Sequence, residues 1–252
     1  MKLKGVIHLK YMGSKSKIAK YIVPIIQSYV EKDRAEVYVE LFVGGANVID
    51  KVKAEYKVGY DINPYLIALL KRVQSGKPLL EEVPFELYDK ARKAFYNKTS
   101  EFKDWEIGNI GFLASYNGRF FDGGYAKSGY EKTPKGERFR DYYREAKDNL
   151  LKQAPDLKGI DFRVGDYKKS FTNCVVYLDP PYQGGKAYLY SPDFDYDEFW
   201  NYVRWLSTHN TVLVSELNAP ADFKVIWEQE VSRSIKATDK GKAVEKLFKY
   251  KY

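Results

Sequence analysis

Apolar residues along this chain fall into short continuous runs separated by stretches of helical spacing. Residues 18–30 carry apolar positions at helical intervals with Pro24 inside them, so a helix interrupted at that proline is expected. Val37-Tyr38-Val39-Glu40-Leu41-Phe42 has the pattern of a strand and runs into Val43-Gly44-Gly45-Ala46-Asn47, after which a helix is expected over residues 48–53. Residues 57–61 repeat the strand pattern and end on Asp61. Asn63-Pro64 then opens a helix through Leu66, Ile67, Leu69 and Leu70, with Asn63 as the N-cap and Pro64 where its missing N–H does no harm. This β-α-β-α order is the opening of a doubly wound α/β sheet.

Between residues 84 and 155 the pattern changes. Aromatic and charged residues interleave, and turns are marked by Asn117-Gly118, Gly123-Gly124, Ser128-Gly129 and Lys135-Gly136. Helical spacing flanks this stretch over residues 85–95 and 139–151. Strand patterns resume at residues 161–164 and 175–178, and again at 211–215, 224–227 and 246–250. The simplest architecture is one α/β domain, residues 1–83 and 156–252, carrying a mainly helical insertion over residues 84–155.

Composition narrows the class. A chain of 252 residues can bury a sizeable core. No stretch approaches the roughly 20 apolar residues of a membrane span, and Met1-Lys2-Leu3-Lys4-Gly5 lacks the apolar segment of a secretory signal. The single cysteine, Cys174, lies in an apolar run and leaves no intramolecular disulfide, which suits a reducing cytoplasm. With one cysteine and two histidines, His8 and His209, no metal site is expected. The net charge of +8 is unevenly spread. Lys2, Lys4, Lys10, Lys15, Lys17 and Lys20 precede the first acid, Glu31, and residues 233–252 hold seven basic residues against Asp239 and Glu245. Basic ends around a net acidic segment at 153–232 suit a polyanionic partner such as nucleic acid; a solvated lysine-rich surface is the alternative.

The chemistry centres on Asp179-Pro180-Pro181-Tyr182, directly after the apolar run Val175-Val176-Tyr177-Leu178. Two prolines cannot continue a strand ladder, so the chain turns out at the strand's end and leaves a carboxylate, proline carbonyls and a ring on a stiff loop. Such a loop can accept hydrogen bonds from the exocyclic amino group of a base and stack on its ring. It can also be an ordinary Pro-Pro turn. Glycines in Phe42-Val43-Gly44-Gly45-Ala46 let a ligand approach the backbone, and Asp61 at the end of the next strand is placed to hold a ribose or to serve as a helix N-terminal acid. The loop is not G-x-G-x-x-G, so a single-nucleoside cofactor such as S-adenosylmethionine fits better than a dinucleotide. Lys10-Tyr11-Met12-Gly13-Ser14-Lys15 offers a ring and a cation, or simply starts a helix capped by Ser14. Gly165-Asp166-Tyr167 is a loop acid and aromatic at a strand's end, or a surface turn. In Tyr116-Asn117-Gly118-Arg119, Asn and Arg are suited to base edges, while Asn117-Gly118 is also a strong hairpin signal.

Taken together these segments resemble the Dam-type, D12-class DNA adenine-N6 methyltransferases over nearly the whole chain and in the family's order. Residues 10–15 look like its N-terminal K-W-A-G-G-K motif, Phe42-Val43-Gly44-Gly45-Ala46 like its F-V-G-x-G loop, and Asp61-Ile62-Asn63 and Asp179-Pro180-Pro181-Tyr182 match D-I-N and D-P-P-Y. Arg233-Ser234-Ile235 with Val244-Glu245-Lys246-Leu247 resembles its C-terminal hairpin. The resemblance implies a Rossmann-like class I methyltransferase sheet, with the insertion as a target-recognition domain and duplex DNA as partner. It implies that Tyr11, Met12, Gly13, Lys15, Phe42, Gly44, Gly45, Asp61, Ile62 and Asp179 contact S-adenosylmethionine, with Asp166 and Tyr167 near its adenine. Asp179, Pro180, Pro181 and Tyr182 would serve catalysis on a flipped adenine, and Lys10, Tyr116, Asn117, Arg119, Arg233 and Ser234 would contact DNA. A monomer acting in the cytoplasm is expected, and the family leaves room for a cognate restriction endonuclease. The chain departs from the pattern with Tyr11 for Trp, Ser14 for Gly, Ala46-Asn47 in the glycine loop, and a loose match over residues 120–136 that leaves the target sequence open. An RNA guanine-N2 methyltransferase and an inactive DNA-binding module are the other expectations.

Overall fold

The computed structural model describes residues 9, 11, 13–134, 136–183, 193–236 and 239–251, with the backbone alone at 232–236 and 239–242. Lys10 and Met12 lie outside the described residues, and Arg233 and Ser234 are described as backbone only. In chain order the elements are α1 (Ala19–Lys32), β1 (Val37–Glu40), β2 (Tyr56–Asp61), α2 (Pro64–Gln74), α3 (Phe85–Asn97), α4 (Asp104–Leu113), β3 (Gly129–Thr133), β4 (Gly136–Arg140), α5 (Tyr142–Gln153), β5 (Ile160–Val164), β6 (Val175–Leu178), α6 (Tyr196–Ser207), β7 (Thr211–Glu216), β8 (Phe223–Lys236) and β9 (Asp239–Tyr250). They make two compact units. The first takes Met1–Lys17, Gly44–Lys51 and Asn63–Val164; the second takes Ile18–Val43, Val52–Ile62 and Gly165–Tyr252.

Seven strands form the main sheet, and six of them lie in the second unit in the order β2-β1-β6-β7-β9-β8. β1 pairs in parallel with β2 on one side and β6 on the other, β6 pairs in parallel with β7, and β9 is antiparallel to both β7 and β8. The chain moves outward one way from β1 to β2 and the other way from β6 to β7. The strand order therefore reverses between β1 and β6, and the carboxyl ends of strands flanking such a reversal are where α/β sheets bind ligands. All four residues of β6 are buried, as expected for a parallel strand covered on both faces. Phe199, Trp200, Val203 and Leu206 of α6 pack in one cluster with Val39, Leu41, Val176, Leu178, Val212 and Val214.

Several elements differ from the sequence expectations. α1 runs unbroken through Pro24, which lies on the exposed side of the helix. The helix expected over residues 48–53 is only a turn, because Lys51 Nζ donates to the Asn47 carbonyl (2.9 Å) and Lys51 N closes back on Val48 O (2.9 Å). α6 was not anticipated, although Asp195 caps it by accepting from Glu198 N (2.9 Å) and its apolar residues have helical spacing. β8 and β9 extend well beyond residues 224–227 and 246–250 as one long antiparallel hairpin, the C-terminal hairpin that the resemblance implied.

The first unit holds the insertion. Asn63 Oδ1 accepts from Tyr65 N (3.0 Å) and Leu66 N (3.2 Å), the cap read from the sequence. α3 matches its helical spacing. α4 was not anticipated: residues Ile107 to Leu113 are all buried, so the segment has no polar face, and Gly108 and Gly111 weaken its helical signal. The helix expected from residue 139 begins at Tyr142, because Phe139 belongs to β4 and Asp141 caps α5 by accepting from Arg144 N (3.0 Å). Asn117-Gly118 does not make a two-residue hairpin. It lies in a short 3-10 turn inside a loop closed by the Ser115–Tyr125 bridge, and the insertion's hairpin is β3–β4 instead. No helix among the described residues is long and apolar enough to cross a membrane.

Candidate active site

In the second unit, acidic side chains mark the carboxyl ends of four adjacent parallel strands. Asp61 ends β2, Glu40 ends β1, Asp179 follows β6 and Glu216 ends β7. Glu40, Asp61 and Glu216 are buried, and Oδ1 of Asp179 is buried as well. A buried carboxylate is costly unless hydrogen bonds compensate it. Glu40 Oε1 accepts from Tyr38 OH (2.8 Å), and Glu216 accepts from Gln183 N (2.7 Å) and from Leu217 N. A row of acids at one edge of a sheet is expensive for a fold with no use for it.

The loop after β6 is held from several sides. The Tyr196 hydroxyl donates to the Pro181 carbonyl (2.9 Å), and Glu216 holds the Gln183 amide. Tyr182 donates its hydroxyl to Glu245 Oε2 on β9 (2.5 Å). Burial pushes the Tyr182 phenol well above its ordinary value, and the charges of Asp179 and Glu245 add to the effect, so Tyr182 remains a neutral donor. The ring is thereby tethered at its far end. Beneath the loop, the Tyr177 and Ser215 hydroxyls are bonded at 2.7 Å.

The other second-unit candidates have different surroundings. Ile62 is exposed, and Gly165 N donates to the Asp61 carbonyl (3.0 Å). Asp166 is exposed and paired with Lys169 (3.2 Å). Tyr167 is packed in an aromatic cluster, stacked on Phe42 (centroids 5.4 Å) and edge-on to Phe199 and Tyr202; burial pushes its phenol up to about 12.

In the first unit, Tyr11 closes on the glycine loop. A Cβ on Gly44 would come within 3.0 Å of Tyr11 Cε1, and one on Gly45 would meet Asn47 Nδ2 at 2.7 Å. Gly44 and Ala46 both have positive φ, +49° and +56°, so the loop adopts a conformation that suits glycine and strains alanine. Both side-chain polar atoms of Asn47 are buried without a hydrogen-bond partner. The Tyr11 ring and the unsatisfied Asn47 amide beside the glycine loop are apolar and polar groups of the kind S-adenosylmethionine requires. Lys15 is buried and its Nζ donates to Gly13 O (3.4 Å). In the insertion, Tyr116 and Asn117 are exposed and Arg119 is partly so, with Asn117 in the left-handed conformation at φ 54°.

Three polar residues of these two units, Glu216, Glu245 and Gln153, are not among the site residues expected from sequence. Glu216 carried a usable signal, since it ends an apolar strand run as Asp61 does. Glu245 pairs with Tyr182 across 63 positions of sequence, a separation no local pattern reports.

The profile of D12 class N6 adenine-specific DNA methyltransferases matches residues 11–202. The type II methyltransferase M.FokI of Planomicrobium okeanokoites is 27% identical over 194 residues, 69% of this chain and 28% of that protein. Modification methylase StsI of Streptococcus sanguinis is 25% identical over 190 residues, again 69% of this chain and 28% of the relative. The chain thus corresponds to well under half the length of these relatives. A solved structure of a candidate RNA methyltransferase from Pyrococcus horikoshii covers 99% of this chain and 90% of its own at 11% identity, with a TM-score of 0.45, a likeness too shallow to argue from.

Proposed function

This chain belongs to the D12 class of N6 adenine-specific DNA methyltransferases, and we propose that it methylates the N6 amino group of adenine in duplex DNA, using S-adenosylmethionine and a base turned out of the helix. The observation that carries this is the tethered Asp179-Pro180-Pro181-Tyr182 loop at the carboxyl end of β6, beside the strand-order reversal. Bound S-adenosylmethionine supplies an electrophilic methyl group. The Asp179 carboxylate and the Pro180 carbonyl accept hydrogen bonds from the amino group, which leaves the nitrogen lone pair available for attack. Tyr182 stacks on the extruded base, whose unstacking costs a few kcal/mol. The protein's part is orientation and electrostatics. Tyr11, Gly13, Lys15, Gly44, Gly45 and Phe42 are proposed around the cofactor's methionine end, Asp61 and Ile62 at its ribose, and Asp166 and Tyr167 near its adenine. One face of Tyr167 is already stacked on Phe42, and Tyr202 meets the ring at a steep angle. Residues 84–155 are proposed as the recognition domain, with Tyr116, Asn117 and Arg119 toward the bases. A single chain is proposed as the working form, and a restriction endonuclease is a partner compatible with the modification methylase relatives.

The direct test is to incubate the purified protein with labelled S-adenosylmethionine and, in parallel, unmethylated genomic DNA or RNA, then identify the methylated nucleoside by mass spectrometry. N6-methyladenine is expected. Methylated guanine from an RNA substrate, with DNA unlabelled, would overturn the assignment.

Two further outcomes are expected. Glu245→Ala removes the acceptor for a buried phenol and should lower kcat/KM for DNA about tenfold, the scale of a charge-assisted hydrogen bond. Glu245→Gln keeps an acceptor and should retain most of the activity; steady-state rates of the two variants would show equal losses if the bond did not matter. Lys17 and Lys20 are exposed. Replacing both by alanine should reduce the slope of log affinity against log salt by up to about 2. An unchanged slope in a filter-binding titration would remove this surface from the DNA footprint.

A further inference from the structure

Gln153, the last residue of α5, is fully buried, and the chemistry described above makes no use of it. Its Nε2 donates toward Gly45 O (3.1 Å), Ala46 O (3.2 Å) and Asp50 Oδ2 (3.0 Å), while its Oε1 accepts from Leu9 N (3.4 Å). Two N–H groups serve three acceptors, so at least one bond is shared. A single amide therefore joins three places far apart in sequence: Leu9, the glycine loop and the end of the insertion. The bracing continues past Gln153. Lys51 Nζ pairs with Asp50 Oδ1 (2.6 Å) and donates to the Asn47 carbonyl (2.9 Å).

The loop so held is strained. Ala46 lies at φ +56°, where any residue with a Cβ is disfavoured, between Gly45 and Asn47. Strain of this kind persists only where the surroundings hold it in place. The Gly45 and Ala46 carbonyls that Gln153 holds belong to the strained turn itself.

We infer that Gln153 is a positioning residue for cofactor binding: its amide keeps the strained glycine loop and Leu9 in the arrangement that receives S-adenosylmethionine. The inference rests on the function proposed above. A residue that merely filled the core would affect melting temperature without changing cofactor affinity in the folded protein. A positioning residue shifts cofactor affinity and KM while leaving turnover at saturation alone.

The experiment uses the full chain as wild type, Gln153→Leu, the shorter amide Gln153→Asn, Ala46→Gly, and the double variant Ala46→Gly with Gln153→Leu. Each is examined by calorimetric titration with S-adenosylmethionine, by kcat and cofactor KM on DNA, and by thermal melting. Gln153→Leu is expected to weaken cofactor binding about tenfold and to raise the cofactor KM to match, with kcat at saturation within twofold of wild type. Gln153→Asn, which keeps a polar group but falls short of the carbonyls, should show the same split should the leucine variant fail to fold. Glycine at position 46 relieves the strain that Gln153 holds, so the double variant should recover most of the lost affinity. Wild-type cofactor affinity in folded Gln153→Leu and Gln153→Asn would overturn the inference, as would a fall in kcat with cofactor KM unchanged. Failure of wild type itself to bind S-adenosylmethionine would instead overturn the proposed function.

Discussion

Asp179→Ala is expected to reduce methyl transfer by about 10³-fold, the scale of losing a hydrogen-bonding or proton-accepting group at the reacting atom. Affinity for duplex DNA should stay within about threefold, because phosphate contacts elsewhere dominate that affinity. The reasoning is local. β6 is buried along its whole length, and Pro180 and Pro181 end it abruptly, so Asp179 sits on a rigid strand terminus rather than a mobile loop. Gln183 is held by Glu216, Pro181 by Tyr196 and Tyr182 by Glu245, so removing one carboxylate leaves the loop's other restraints in place. The loss should therefore appear in kcat rather than in folding. Asp179→Asn, with nearly the same shape and a weaker acceptor, should fall between wild type and alanine. The measurement is single-turnover labelling with S-adenosylmethionine at saturating DNA, alongside a binding titration and a thermal melt. Activity within tenfold of wild type in a correctly folded Asp179→Ala would remove this residue from the chemistry and the proposed mechanism with it.

Gly108→Ala is expected to cost about 3 kcal/mol of stability, near the upper end of what overpacking a core does, and to lower the melting temperature by roughly 6–12 °C. Gly108 lies where α4 crosses α2. A Cβ there would overlap the Tyr65 carbonyl oxygen and come within 3.1 Å of Leu69 Cβ. The neighbour is backbone, so no rotamer change relieves the clash; the helices must separate. Alanine at an exposed helical site would ordinarily stabilise by up to about 1 kcal/mol, so the sign itself is diagnostic. Gly124 has φ +72° but open space around it, so alanine there should show only the smaller cost of backbone strain. Thermal or urea unfolding of the two variants compares steric with conformational cost. A melting temperature for Gly108→Ala within 1 °C of wild type would mean that α2 and α4 pack less closely than described.

Much of the candidate site was legible because its signals are local. A carboxylate followed by two prolines after an apolar run gives its own geometry: proline removes the donor a ladder needs, so the strand must stop there. Asn63-Pro64 places a cap and a first helical residue by the same short-range logic, and Asn63 caps as expected. The glycine turn after β1, the acid ending β2 and the positive ends of the chain likewise follow from residues within a few positions of one another. What escaped was set by distance or by complete burial. α4 shows no amphipathic period because it has no polar face, and its glycines, which argue against a helix in isolation, are what allow α2 to approach. Asn117-Gly118 has the letters of a hairpin, yet the loop around it is closed by Ser115 and Tyr125, and local turn preference yields to that bridge.

The sequence alone thus determined the class of fold, the family, and the segments proposed to carry the chemistry, because strand endings, caps and turns are governed by the sterics and hydrogen bonding of adjacent residues. Only the tertiary structure decided how those segments are held. It brought Glu245 to Tyr182, Glu216 to Gln183 and Gln153 to Gly45, Ala46, Asp50 and Leu9. Each of these contacts satisfies a polar group that burial would otherwise leave at a cost, and which partner satisfies it depends on how the chain packs rather than on neighbours in sequence.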